Sequence, residues 1–319
     1  MYLQHFGLDQ PPFRITPDTR VFYPGGERGA VLEGLGWAIE NGEGIVKVVG
    51  EVGSGKTMLC RMLAQGLPAR IDVVYLVNPD LGAQEVVPAL ARELGLELDA
   101  SDRLAQQHAL HDELVARHAR GRQVVVLIEE AQNMPLATLE ALRLLSNLET
   151  DDAKLLQMVL FGQPELDRNL DAGEIRQLRE RITYSFDLRP LPRAEVAQYL
   201  NFRLRAAGYG GPDLFGAGVA RALDRRAGGL IRRLNLLADK CLLAAYAEGT
   251  HTIRRRHVRR AGRDLRPPRR HLLQRRRATL AGGLALVLLV TAGLALYAGP
   301  PPKTGAPAAG APILQEKSE

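Results

Sequence analysis

The chemistry of this chain is concentrated in eight residues, Gly50-Glu51-Val52-Gly53-Ser54-Gly55-Lys56-Thr57. A glycine, four further residues and then Gly-Lys-Thr make a loop that cradles phosphates. Glycines let the backbone curl until its N–H groups point at an anion, and the helix that follows adds partial positive charge at its N-terminus. Lys56 is placed to neutralise the outer phosphates of a nucleotide, ATP, and Thr57 to bind Mg²⁺ through its hydroxyl. All eight residues are assigned to nucleotide binding. The bland alternative is a chance glycine turn.

A phosphate loop needs a second carboxylate site for the metal. Val124-Val125-Val126-Leu127-Ile128 is an apolar run that ends in Glu129-Glu130. Acids at the C-terminal end of a buried strand sit where open α/β sheets bind ligands. Glu129 is assigned to the Mg²⁺ shell and Glu130 to polarising the attacking water. Taken alone, the pair could be two solvated acids at a strand end.

These residues need a frame. Short apolar runs at Ile45–Val49, Val73–Val77, Val124–Ile128, Leu155–Phe161 and Ile182–Leu188 predict strands. Helical patterns at Arg28–Ile39, Met58–Leu67, Val86–Leu94, His108–Arg120 and Leu139–Leu148 alternate with them. Strand–helix alternation predicts an α/β fold, a parallel sheet covered by helices on both faces. After Pro190 and Pro192 the strands stop. Ala194–Ala207, Gly216–Arg226 and Arg232–Ala247 have helical period, so 193–262 is expected to be a small all-helical lid. The ATPase core is placed at 44–192, after an N-terminal linker segment at 1–43. His108, His111 and His118 lack a third spaced ligand and are not expected to bind metal.

The two acid and phosphate motifs followed by a helical domain resemble an AAA+ ATPase. More narrowly, the chain resembles the ExeA/GspA-type secretion ATPases and their relative MshM of MSHA pilus biogenesis. The stretches that carry this are Tyr2-Leu3-Gln4-His5-Phe6-Gly7-Leu8, Pro12-Phe13, the phosphate loop, Glu129-Glu130-Ala131-Gln132, Gly162-Gln163-Pro164-Glu165-Leu166, and Gly228-Gly229 with Arg232, Arg233 and Asn235. The resemblance implies that Gln163 senses the γ-phosphate or the water. It implies that Arg181 is an arginine finger offered to a neighbouring subunit, with Arg179 as the alternative. It implies that Arg232 is a second sensor in the lid, with Arg233 as the alternative. A ring oligomer follows from the same resemblance, a hexamer being one form. Two departures stand out. Glu129 occupies a position where the family has Asp, and Ile231 one where it often has Pro. The first predicts slower hydrolysis.

The net charge of +6 is not evenly spread. Residues 254–277 hold twelve arginines against one acid, Asp264, a local +11 that leaves −5 for the rest. Residues 278–298, ATLAGGLALVLLVTAGLALYA, carry no charge. As a helix this run is roughly 31 Å long, matching a hydrocarbon core of about 30 Å. A transmembrane helix at 278–298 is therefore expected, with 263–277 as an arginine-rich juxtamembrane linker that meets lipid. The positive-inside rule then places the ATPase in the cytoplasm of a bacterial cell, single-pass in the inner membrane, with a short disordered periplasmic tail at 299–319. About twenty residues follow the run, so the periplasmic module of ExeA is not expected, which favours the MshM-like comparison.

The function expected is a membrane-anchored ATPase that drives or regulates an envelope machine, pilus or secretion, with inner-membrane components as partners. One rival is a nucleic-acid-associated ATPase gripping phosphates through the arginines. The membrane run beside them and the lack of interleaved aromatics argue against nucleic acid. The other rival is a nucleotide-gated scaffold with little turnover.

Overall fold

The computed structural model describes residues 1–98, 102–151, 153–171 and 175–263. The expected transmembrane helix, the linker from 264 onward and the tail lie outside the described residues. Among the described residues no helix is long and apolar enough to cross a membrane. Residues 1–268 form one compact unit. It holds the three hydrophobic clusters described below and all five strands, so this stretch has what a chain needs to fold without the remainder.

In chain order the elements are α1 (Tyr2–Phe6), α2 (Arg28–Glu40), β1 (Ile45–Val49), α3 (Lys56–Gly66), β2 (Ile71–Leu76), α4 (Val86–Glu93) and α5 (Arg103–Ala119). Then come β3 (Gln123–Ile128), α6 (Leu136–Leu145), β4 (Leu156–Gly162), α7 (Glu165–Leu170), α8 (Arg176–Glu180) and β5 (Ile182–Asp187). The lid is α9 (Val196–Arg205), α10 (Ala217–Ala227), α11 (Ile231–Ala247) and α12 (Arg255–Ala261).

All five strands are parallel, in the order β2-β3-β4-β1-β5. The expected strands are all present, and both faces are covered. Alternate residues of β3 show why its sequence is a continuous apolar run. Val124, Val126 and Ile128 pack in the cluster that includes residues of α4, α5 and α6. Val125 and Leu127 pack in the opposite cluster with residues of α2 and α3. A strand wet on neither face has no use for a polar alternate. Truncating Leu127 or Ile128 to Ala costs about 2–5 kcal/mol.

The order matters for the site. β4 lies between β3 and β1, so its C-terminal end falls between the acids of β3 and the loop after β1. A parallel sheet puts all three ends on one edge.

Element ends depart from expectation for local reasons. α5 begins at Arg103, five residues early, because Asp102 caps it, accepting from the N–H groups of Leu104 (2.9 Å) and Ala105 (3.1 Å). α3 begins at Lys56 rather than Met58, so the phosphate loop feeds straight into the helix.

The lid has its own core, built on Leu200, Leu204, Leu223, Leu237 and Cys241. The N-terminal segment joins it: Phe6, Leu8 and Phe13 are buried there. Gly228 and Gly229 separate α10 from α11. Both are left-handed (φ 66° and 72°), and a Cβ on Gly229 would fall 2.5 Å from Leu191 O. Leu191 N–H donates to Gly229 O at 2.9 Å. This bond ties the segment leaving the sheet domain to the turn before α11.

Candidate active site

β1 ends at Val49 and the chain turns at once. Gly50 N–H donates to Gly162 O at 3.1 Å, pinning the loop to the end of β4. A Cβ on Gly50 would lie 2.7 Å from Ser54 Oγ and 2.9 Å from Leu188 O, so the turn has room only for glycine. Gly53 and Gly55 are left-handed, at φ 79° and 109°. Lys56 is buried, and its Nζ donates to the carbonyls of Gly50 (2.8 Å) and Glu51 (3.2 Å). Burial pulls its ammonium below the ordinary lysine range, while the carboxylates of Glu130, Glu51 and Glu129 oppose that shift.

A second cation stands behind the loop. Arg28, at the start of α2, is 4% exposed. Its guanidinium donates to the carbonyls of Ser54 (3.0 Å), Gly25, Gly26 and Arg189 (each 3.3 Å). It forms no ion pair among the described residues, and its Nε is buried without a partner. The Glu195 carboxylate, which accepts from Gly26 N–H at 2.8 Å, offsets part of this charge, and the remainder behind the phosphate loop favours an anion in front of it.

Glu130 is held hard. Its Oε2 accepts from Gln132 Nε2 at 2.7 Å and Gln163 Nε2 at 3.0 Å. Gln132 is itself fixed, since its Oε1 accepts from Gln163 N–H (2.9 Å) and its carbonyl from Asn169 Nδ2 (2.8 Å). Glu130 is also left-handed, at φ 53°. A side-chain-bearing residue there is uncommon, and the surrounding bonds maintain it. Burial pushes its pKa up, but the Gln132 and Gln163 amides and the Lys56 charge outweigh burial and hold the carboxyl below the usual range. Glu129, by contrast, makes no hydrogen bond among the described residues, nor does the Thr57 hydroxyl. Both are hard oxygen donors of the kind Mg²⁺ takes.

The lid closes over this edge. A cleft of about 420 Å³ is lined by Val52, Gly53, Lys56, Thr57 and Glu130 from the sheet domain. Ile231, Arg232 and Asn235 line it from the lid, and Ile15, Thr16 and Pro17 from the N-terminal segment. Arg232 N–H donates to Gly53 O at 3.1 Å. A Cβ on Gly53 would stand 2.7 Å from Arg232 Cβ, so this glycine also admits the lid. The N-terminal wall is fastened to the lid by Arg203 Nε donating to Pro12 O (2.9 Å) and Asn235 Nδ2 to Arg14 O (3.4 Å).

The structure thus brings together Gly50 to Thr57, Glu130, Gln163 and Arg232. It places Arg232, not Arg233, on the cleft. Glu129 adjoins Glu130 at the end of β3, and its charge is felt at Lys56 and Cys60. Arg181 is apart from the cleft of its own chain. It is exposed at the end of α8, where its Nη1 donates to Ser146 Oγ at 3.3 Å. Arg179 pairs with Asp171. Sequence reasoning missed the roles of Gln132, Arg28 and the wall at 14–17. Gln132 had a signal, an amide two residues past the acid on a tight turn. Arg28 had none, since an arginine opening a helix reads as solvated.

The geometry fits a nucleoside triphosphate with Mg²⁺. The glycine cradle is one that a Cβ would fill, and two cations and two free oxygen donors surround it.

Residues 39–170 match the AAA domain family model. General secretion pathway protein A of Aeromonas hydrophila is 42% identical over 254 residues, which is 79% of this chain. This chain spans 46% of that protein's length. Among solved structures, Cdc6p of Pyrobaculum aerophilum shares the fold, with a TM-score of 0.61 at 17% identity over 78% of this chain and 71% of that one. So does the ORC2 protein of Aeropyrum pernix in its ADPNP-ADP complexes, with a TM-score of 0.57 at 18% identity over 83% of this chain and 74% of that one. The chain belongs with the AAA-domain proteins and, within them, stands with the relatives of general secretion pathway protein A.

Proposed function

We propose that this ATPase is attached to the bacterial inner membrane and works as a ring whose sites are shared between protomers. Its hydrolysis drives or regulates assembly of an envelope machine, a secretion apparatus or an MSHA-type pilus, with inner-membrane components of that machine as partners. The kinship with a secretion protein supports the process. The uncharged run at 278–298 beside an arginine block supports the attachment, with the ATPase on the cytoplasmic side.

The observation that carries the shared site is the position of Arg181. Every other residue assigned to phosphoryl transfer lies at the end of β1, β3 or β4 or on the lid, while Arg181 is exposed away from its own cleft. There it is available to a neighbour.

The residues divide the reaction as follows. The loop amides from Gly50 to Thr57 and the Lys56 ammonium hold the triphosphate and offset its charge. Thr57 and Glu129 would hold Mg²⁺, which when bound would offset charge on the outer phosphates. Glu130, kept ionised by two amides, orients water and accepts its hydrogen bond. Gln163 shares that hold on Glu130 and reports the state of the γ-phosphate. Arg232 carries that state to the lid, and Arg181 of a neighbour stabilises the charge of the transition state.

The test is hydrolysis by the full chain across protein concentration, beside Lys56→Ala, Arg181→Ala and a mixture of the two. Specific activity is expected to rise with concentration, and each variant alone to be inactive. Mixing should restore activity, because an intact loop in one protomer then meets an intact finger in the next. Failure of the mixture to recover would remove Arg181 from the neighbour's site.

A further inference from the structure

We propose that the lid carries a second anion site, a cleft between α10 and α12 that takes the phosphate headgroups of an anionic membrane surface. The cleft has a volume of about 550 Å³ and is lined by Ala222, Arg225, Arg226, Arg255, Val258 and Arg259. The choice of lipid as occupant rests on the reading of this chain as membrane-attached; the cleft does not.

The cations are there because α12 has one buried face. His257, Val258 and Ala261 are buried, which turns Arg255 and Arg259, four residues apart, towards α10. On α10, Leu223 and Ala227 are buried and Arg225 is exposed at the cleft. Among the described residues, none of the four lining arginines is in an ion pair. Their neighbour Arg256 shows the contrast, held by Glu248 at 2.5 Å. The acid of α10, Asp224, is already engaged. Four guanidinium groups around one hollow repel one another, and a phosphate group relieves that repulsion. Guanidinium also matches phosphate in a bidentate way.

Two observations favour a membrane over nucleic acid. Sixteen residues separate Ala261 from the uncharged run that starts at Ala278. Fully extended they reach roughly 55 Å, at about 3.3–3.6 Å per residue. An inserted run therefore limits the cleft to within about that distance of the bilayer surface. Second, no aromatic side chain lines the cleft, so bases find nothing to stack on.

The test uses flotation of residues 1–268 with vesicles of phosphatidylcholine alone or mixed with phosphatidylglycerol. The compact unit is expected to float with the anionic vesicles only, and less as salt rises. The triple variant Arg225→Gln, Arg255→Gln, Arg259→Gln should bind roughly a hundredfold more weakly, at about fivefold per arginine. Its ATP hydrolysis should be unchanged. Should the triple variant melt early, Arg259→Glu alone repeats the comparison at an exposed position. Equal flotation of parent and variant, or no flotation of the parent, overturns the proposal. So does a variant that loses affinity for a short DNA duplex while still floating, because the cleft is then a nucleic-acid site. Alkaline extraction of the full chain from membranes tests the anchor separately. A chain that washes out ends the anchoring reading and leaves the cleft measurement standing.

Discussion

The two walls of the nucleotide cleft are built on different principles. The sheet wall is rigid and dense in polar bonds. Lys56 is held by two carbonyls and Glu130 by two amides, all at the C-terminal edge of one parallel sheet. Among the described residues, the lid wall reaches the loop through one backbone bond, Arg232 N–H to Gly53 O, and through the side chain of Arg232. Chemistry needs its groups fixed before the reaction, whereas a domain that reports nucleotide state must be able to let go. The number of bonds on each wall follows that division.

The largest effect should come from the most tightly held group. Glu130→Gln keeps the side-chain length but cannot accept a proton's charge or polarise water. Turnover is expected to fall about 10²–10⁴-fold, the usual share of a general base, while nucleotide binding by titration stays within a few-fold. Equal loss of binding and turnover would mean that Glu130 shapes the site rather than acts in it.

Gln132→Leu tests whether the hold itself matters. Removing that amide takes away the leading stabiliser of the Glu130 carboxylate, which now sits below the ordinary glutamate value of 4.5. In the parent, the acidic limb of the rate profile is therefore expected below the usual carboxylate range. In the variant it should move up, because the folded pKa rises. The contribution to stability runs in the same sense: a depressed carboxylate stabilises the fold above its unfolded pKa and loses this as pH falls through the folded value. At neutral pH, turnover should drop about tenfold, as expected for one hydrogen bond to a charged group. A rate profile with an unmoved acidic limb would separate Gln132 from Glu130.

How far this was legible beforehand differs between the walls for the same physical reason. The phosphate loop and the Glu129-Glu130 pair are local: a buried strand and a few residues after it decide where the groups point. The strands themselves were legible because an all-apolar run such as Val124–Ile128 has one use in a sheet covered on both faces. The position of β4 between β3 and β1 was not local. No periodicity states insertion order, although it is what brings Gln163 to Glu130. The wall at 14–17 was less legible still. It depends on Phe6, Leu8 and Phe13 entering the lid core, and on Pro12 O meeting Arg203 across 191 positions of sequence. Arg28 was invisible, since its four carbonyl partners come from three separate segments.

Gly53→Ala attacks the join between the walls. The position is left-handed, which costs a side-chain-bearing residue about 1–2 kcal/mol, and the new Cβ meets Arg232 Cβ at 2.7 Å. The lid must move off the loop, so ATP affinity should weaken about tenfold. Arg232→Ala keeps the backbone bond and should weaken it less. If the two losses are reversed, the side chain and not the backbone latch is what holds the lid.

The smallest effect concerns the one acid that is not held. Glu129 makes no hydrogen bond among the described residues, while Glu130 beside it accepts two. A longer, unrestrained carboxylate has more rotamers to lose when it meets the magnesium shell, at a side-chain entropy cost of up to about 1.5–2 kcal/mol on burial. Asp in its place has one torsion fewer and keeps the charge. Glu129→Asp should therefore raise turnover a few-fold, and lower the Mg²⁺ concentration needed for half-maximal rate. A fall in turnover would show that the extra methylene is needed to reach the metal from this strand end, and that the sheet wall at Glu129 is as closely fitted as it is at Glu130.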